Sequence, residues 1–302
     1  MFKNRSGQVR AGWLILLTFA AMLIVQQLFS LSGIFLLIFA EASFSGESGY
    51  FDVLTALDSH PWIYLLVQGG GTAGGILITF LLWRFINKGT MKQLGFRGSL
   101  KDLWFGLFLG AISITVIFSV LMATANVTLM NSLSSPQFSV FTISFFILFI
   151  LVGFFEEMFF RGYIMSSMAS RGNKKWVIYV ASAVIFSVAH GANPNVSILG
   201  VVNIALVGIL FAYMFDSTNS LWLPIGYHIT WNYFQGSVYG FAVSGTAPNG
   251  IYGVEIAEGR DWLTGGAFGL EGGLLATILI LAGFIATRLY SKWQNHEQTG
   301  IL

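Results

Sequence analysis

Two adjacent carboxylates stand inside an apolar run, Phe154-Phe155-Glu156-Glu157-Met158-Phe159-Phe160-Arg161. On insertion scales, an ionisable side chain inside a membrane span costs at least about 2.5 kcal/mol, so each one needs a reason to be there. Glu157 and Arg161 are four apart, share a helix face and can pair. Glu156 is turned by about 100° from Glu157 on a 3.6-residue helix and needs a different partner. The chain has four histidines, at 60, 190, 228 and 296. Two of them lie in apolar segments, Phe186-Ser187-Val188-Ala189-His190 and His228-Ile229-Thr230-Trp231-Asn232. His228 and Asn232 share a face at i, i+4. A carboxylate beside a neutral imidazole can take a proton from water. His and Asn side chains can donate to the oxygen of a tetrahedral intermediate. Two histidines and one glutamate are also enough to hold a catalytic zinc with an open water position, and that alternative set is Glu156, His190 and His228. Both schemes hydrolyse an amide.

Such chemistry requires elements that bring the three segments together inside a membrane. A spanning helix needs about 20 mainly apolar residues. Eight stretches qualify as candidates, over residues 12–40, 62–86, 103–125, 138–168, 176–191, 196–215, 219–239 and 266–290. Basic residues recur on every second connection: Lys3, Arg5 and Arg10; Arg84 to Lys101; Arg171, Lys174 and Lys175; Arg288 and Lys292. Eight spans with both termini on the inner side give that alternation. The acidic loop before Pro61, with Glu41, Glu47, Asp52 and Asp58, falls outside. One connection, Asp216 to Ser220, should lie inside yet carries no basic residue of its own. At about 1.5 Å per residue, Glu156, His190 and Asn232 each lie about 20 Å from the inner ends of their helices, and His228 about 14 Å. A shared depth is therefore allowed.

Composition agrees with a membrane-embedded chain. Of 302 residues 55% are hydrophobic and 9% charged, against about 25% charged in soluble domains. Mean hydropathy is +0.75. A net charge of +2 is too small to argue for nucleic acid. The absence of cysteine excludes disulfides, thiolate metal sites and a cysteine nucleophile. The apolar run from Ala11 to Ala40 is too long for a signal-peptide core of about 7–15 residues and reads as a retained first span. Residues 1–90 form an N-terminal pair of spans with its inner loop, and 91–302 a membrane core with a Gly-rich outer loop at about 240–265. Gly69-Gly70-Gly71 and Gly74-Gly75 read as helix packing.

Each polar group also has a plainer explanation. Glu157 and Arg161 could be a structural ion pair, a membrane histidine a packing element, and Asn232 interhelical glue. The phenylalanines face lipid or core. The conjunction favours a functional polar site, although the residues alone leave protease and transporter undecided.

The three segments resemble the motifs of the CPBP family, the CAAX-protease and bacteriocin-processing or abortive-infection membrane proteins. That family shows Glu-Glu-x-x-x-Arg, Phe-x-x-x-His and His-x-x-x-Asn, matched here in order at Glu156–Arg161, Phe186–His190 and His228–Asn232. The resemblance covers roughly 90–240, and the stretch 264–275 is similar to one bacterial branch. It implies an all-α, polytopic membrane helical bundle in a prokaryotic-type plasma membrane. It also implies an intramembrane endopeptidase that cleaves a membrane-associated or prenylated-type peptide or protein in the lipid bilayer. Carried over, Glu156 and His190 would activate water, His228 and Asn232 would stabilise the oxyanion, and Glu157 and Arg161 would orient and balance the site. The family is classed as metalloprotease, and a metal-free glutamate mechanism is also argued for it. The metal-free scheme is preferred here, because His, His and Asn make a poor zinc set. Two other readings compete: a non-catalytic immunity factor or scaffold, and a proton-coupled transporter, against which stands the lack of a pair of broken-helix repeats.

Overall fold

A computed structural model describes residues 2–3, 7, 9–44 and 60–299. It is an all-α bundle: α1 (Ala11–Phe44), α2 (Pro61–Phe85), α3 (Leu100–Ala123), α4 (Val140–Ala169), α5 (Lys175–Ala189), α6 (Ile198–Thr218), α7 (Trp222–Asn232) and α8 (Leu274–Thr299). Six of these, all but α5 and α7, are long and apolar enough to cross a membrane. A helix falls on each of the eight expected stretches. The acidic residues Glu47, Asp52 and Asp58 lie outside the described residues.

Side-chain contacts gather alternate connections at one end of the bundle. Arg171 Nε donates to the Val9 carbonyl at 2.7 Å. Arg97 donates to the Asn219 backbone oxygen at 2.6 Å and to its side-chain oxygen at 2.9 Å. Lys175 pairs with Asp216, and Ser291 Oγ donates to the Ser217 carbonyl at 3.3 Å. The connection at 216–220 therefore has cations beside it, lent by the starts of α3 and α5. At the opposite end β1 (Val127–Leu129) pairs antiparallel with β2 (Val254–Ile256), with Thr128 opposite Glu255. This small sheet folds the Gly-rich 240–265 loop back onto the end of α3, and no strand was expected there.

The closest helix pair is α3 against α7. A methyl group on Gly106 would lie 2.3 Å from the Leu223 carbonyl oxygen, and one on Gly226 would lie 2.4 Å from that of Leu103. Only small residues allow two membrane helices to approach so closely. Thr230 Oγ1 closes the seam by donating to the Leu107 carbonyl at 2.8 Å. Packing is also what Gly74 and Gly75 serve, lying against the Phe29 and Phe155 rings. A polar chain at the end of α4 fixes α1 and α2: Thr18 donates to the Tyr163 hydroxyl at 2.6 Å, which donates to Asn87 at 3.2 Å.

Two boundaries differ from the sequence expectation. The last helix starts at Leu274, not near 266. Gly265, Gly266 and Gly269 take φ of 86°, 57° and 109°, so the chain turns through two short 3-10 segments before the helix begins. His190 is the C-cap of α5 and not an interior residue.

Candidate active site

Three helices converge on one cavity of about 220 Å³, lined by Glu156, His190, His228 and Asn232 together with α4 phenylalanines. Glu156 ends the α-helical part of α4, and residues Glu157–Met165 continue it as a wide π-helical stretch. Beyond Asn232 the helix likewise widens over Tyr233–Val238. Such wide turns are frequent at functional sites. Ser182 Oγ on α5 donates to the Phe160 carbonyl at 2.9 Å and ties α5 to the first of them.

The adjacent glutamates live in different surroundings. Glu157 is fully buried, and its Oε1 accepts from Arg161 Nη1 at 2.9 Å and from His228 Nδ1 at 2.9 Å. Arg161 also donates to the Gly208 carbonyl at 3.3 Å. Its guanidinium lies over the Phe186 and Phe211 rings at 4.4 and 5.0 Å. A buried charge needs pairing and hydrogen bonds; these contacts pair the two charges, while Glu157 Oε2 and Arg161 Nε have no hydrogen-bond partner.

Glu156 faces the cavity. Its Oε2 lies 3.9 Å from His190 Nε2 and 3.7 Å from His228 Nε2, and it has no hydrogen-bond partner. These gaps are too long for direct hydrogen bonds but short enough for one water to bridge. Both imidazoles are oriented from behind. His190 Nδ1 lies 2.8 Å from the Phe186 carbonyl, which can only accept, so Nδ1 carries a proton and Nε2 is the ring nitrogen that faces Glu156. His228 is held in the same manner by Glu157 and packs on Phe211 at 5.3 Å. Asn232 lies one turn further along the same face.

All six residues picked from the sequence are therefore brought together: Glu156, His190, His228 and Asn232 line the cavity, and Glu157 and Arg161 back it. Among the described residues no group of three or more His, Cys, Asp or Glu side chains is arranged to hold a metal ion. His60, at the start of α2, does not line the cavity.

The cavity has a further polar wall. Glu271, from the glycine-rich turn before α8, lines it with Ser244 and Asn203. Its Oε2 accepts from Gln235, and its Oε1 accepts from Ser244 Oγ at 3.2 Å. Burial pushes the Glu271 carboxyl up to about 7. The sequence held a signal for this residue, an acid among glycines in an apolar run, but the run reads as the start of a span.

Residues 136–234 match the family model described as Type II CAAX prenyl endopeptidase Rce1-like. Searches of curated proteins and of solved structures give no match. The matched segment contains Glu156, Glu157, Arg161, His190, His228 and Asn232, and Glu271 lies beyond it. The match supports the CPBP, or CAAX protease, family. With the apolar helices, it supports a multi-pass membrane protein of the CAAX-protease type.

Proposed function

We propose that the chain is an intramembrane endopeptidase of a prokaryotic plasma membrane that hydrolyses a peptide bond of a membrane-associated peptide or protein, with water activated by Glu156 and His190. The observation that carries this reading is the Glu156 oxygen left without a hydrogen-bond partner between two imidazole nitrogens on a cavity. A purely structural carboxylate in this position would be paired, as Glu157 is.

A water between Glu156 Oε2 and His190 Nε2 donates to both. As it attacks the carbonyl carbon, its proton passes to Glu156, and the carbonyl oxygen becomes the oxyanion. His228, anchored through Nδ1 to the Glu157 carboxylate, offers Nε2–H to that oxygen when its ring is protonated, and Asn232 offers its amide N–H. The negative charge of Glu157, shared with Arg161, stabilises such an imidazolium. Collapse of the intermediate breaks the C–N bond, and the proton held by Glu156 goes to the leaving amine. The surrounding phenylalanines exclude bulk water and strengthen each of these electrostatic interactions.

The test uses a quenched-fluorescence apolar peptide and the purified protein in proteoliposomes. Glu156→Gln and His190→Ala should each abolish cleavage while the protein still folds and inserts. Full turnover by either variant removes that residue from the mechanism. Metal analysis, run beside the same assay with and without 1,10-phenanthroline, should give well under one metal per chain and undiminished cleavage. Loss of cleavage in chelator, restored by zinc, refutes the metal-free scheme.

A further inference from the structure

The acidic and imidazole side chains that line the cavity are Glu156, His190, His228 and Glu271, and among the described residues no Lys or Arg lines it. Arg161 sits behind the Phe186 and Phe211 rings, and Glu157 neutralises it. Two carboxylates thus face one small, mainly apolar cavity that has no fixed positive charge.

Glu271 is built into its place. Asn203 Nδ2 on α6 donates to the backbone oxygens of Glu271 and Gly273 at 2.8 and 3.0 Å, and Thr277 Oγ1 donates to Asn203 Oδ1 at 2.7 Å. At Gly269 (φ 109°) a side chain would collide with the Ala242 carbonyl, so the turn that presents Glu271 requires glycine. The carboxylate takes hydrogen bonds from Gln235 and Ser244, which are both neutral donors. The Gln235 side chain is fully buried. Its amide nitrogen is committed to Glu271 and the Ala242 carbonyl, while its amide oxygen has no partner. Gln235 stands behind the cavity wall, so what the cavity meets at this corner is a carboxylate without a counter-charge, backed by an amide whose two N–H groups are already used. A protonated amine, with its positive charge and three N–H donors, is complementary to that carboxylate.

We propose that Glu271 is a specificity-determining residue that binds a cationic group of the substrate, a protonated amine such as a lysine side chain, within an otherwise apolar peptide. The proposal deepens the proteolytic reading by naming the substrate class, but the binding itself does not depend on turnover. Carried on an apolar segment, the amine seats against Glu271 while the flanking side chains pack on the phenylalanines of α4. Its arrival gives the buried carboxylate the counter-charge that burial denies it.

The experiment measures binding to the Glu156→Gln protein, which retains Glu271 as the acidic group lining the cavity. The probes are fluorescent, N-acetylated apolar peptides in detergent micelles, identical except for Lys or norleucine at one central position. A third probe has norleucine and a free N-terminus, which separates a side-chain amine from a terminal one. By fluorescence anisotropy at pH 8 the Lys or free-amine peptide should bind roughly tenfold more tightly than the acetylated norleucine peptide, as expected of a hydrogen bond to a buried charge. Adding Glu271→Gln should bring that ratio to about one. Equal binding of the three peptides to the Glu156→Gln protein overturns the proposal, even if the Glu271→Gln protein fails to fold. So does a preference that survives Glu271→Gln. If the unmutated protein cleaves none of the peptides while the preference holds, the proteolytic reading fails and the cation site stands.

Discussion

Glu157→Gln separates the structural and chemical work of the buried pair. In the native chain one oxygen of Glu157 serves both Arg161 Nη1 and His228 Nδ1, each at 2.9 Å, and neither Glu157 nor Arg161 is exposed. The amide removes the negative charge and leaves a guanidinium supported by the Gly208 carbonyl and two aromatic faces. Breaking a buried pair by removing one partner costs about 3–5 kcal/mol, which in a chain of this size lowers the unfolding temperature by on the order of 10 °C. Turnover falls by a larger factor than unfolding explains, because His228 loses an acceptor-only carboxylate, and the Gln N–H can meet Nδ1 and select the other tautomer. A comparable change at another carboxylate–histidine pair costs about 10⁴-fold. The double variant Glu157→Gln/Arg161→Met discriminates between the two roles. Removing both charges together is often neutral or stabilising, so thermal unfolding in detergent should recover most of the loss while cleavage stays low. Recovery of turnover along with stability would refute the reasoning, since Glu157 would then act only by compensating Arg161.

Asn232→Ala should lower kcat by about 10²–10³-fold with little change in KM, as expected of one oxyanion donor; a rise in KM at constant kcat would place Asn232 in substrate binding. Gly226→Leu should prevent stable folding, because the new side chain would enter the Leu103–Leu107 backbone; normal yield and unfolding temperature would contradict the close α3–α7 seam. For Glu271, the folded carboxyl is raised from 4.5 to about 7. The folded state holds that proton more tightly, so this group's contribution to stability is complete below about pH 4.5 and is lost as pH rises through about 7. It amounts to about 3 kcal/mol, each pKa unit being about 1.4 kcal/mol. Glu271→Gln should therefore narrow the gap in unfolding temperature between pH 5 and pH 8; an unchanged gap would show that Glu271 does not titrate in this range.

The helices and the convergent site were legible because the membrane makes polarity expensive. Glu156, Glu157, Arg161, His190, His228 and Asn232 stand out against apolar flanks, and helical spacing alone gives the Glu157–Arg161 pair. The wide turns after Glu156 and Asn232 were not legible, since no residue pattern distinguishes them from ordinary helix. Glu271 was missed for a different reason. Its partners Gln235, Ser244 and Asn203 are each more than twenty residues away, and a hydropathy window carries the apolar character of α8 back across its glycine turn. Arg97 and Lys175 beside the 216–220 connection are another long-range effect: the positive charge of an inner loop can come from neighbouring loops and not only from its own sequence.

The contrast between Glu156 and Glu157 bears most directly on whether this bundle is a catalyst or a scaffold. Side by side in the chain, they face the same penalty for entering a membrane. Glu157 offsets it through Oε1, which accepts from Arg161 and His228 although Oε2 has no partner, whereas Glu156 Oε2 faces the cavity between two imidazoles with no hydrogen bond and no fixed cation beside it. A scaffold would use both glutamates for cohesion, so either amide substitution would loosen the fold. A catalyst keeps one carboxylate available at a cost to its own stability. Glu156→Gln should therefore leave the unfolding temperature unchanged or raise it, in the same measurement in which Glu157→Gln lowers it. Equal losses from the two substitutions would mean that Glu156 is paired in the folded protein, and the carboxylate assigned to water activation would have no free oxygen with which to accept a proton.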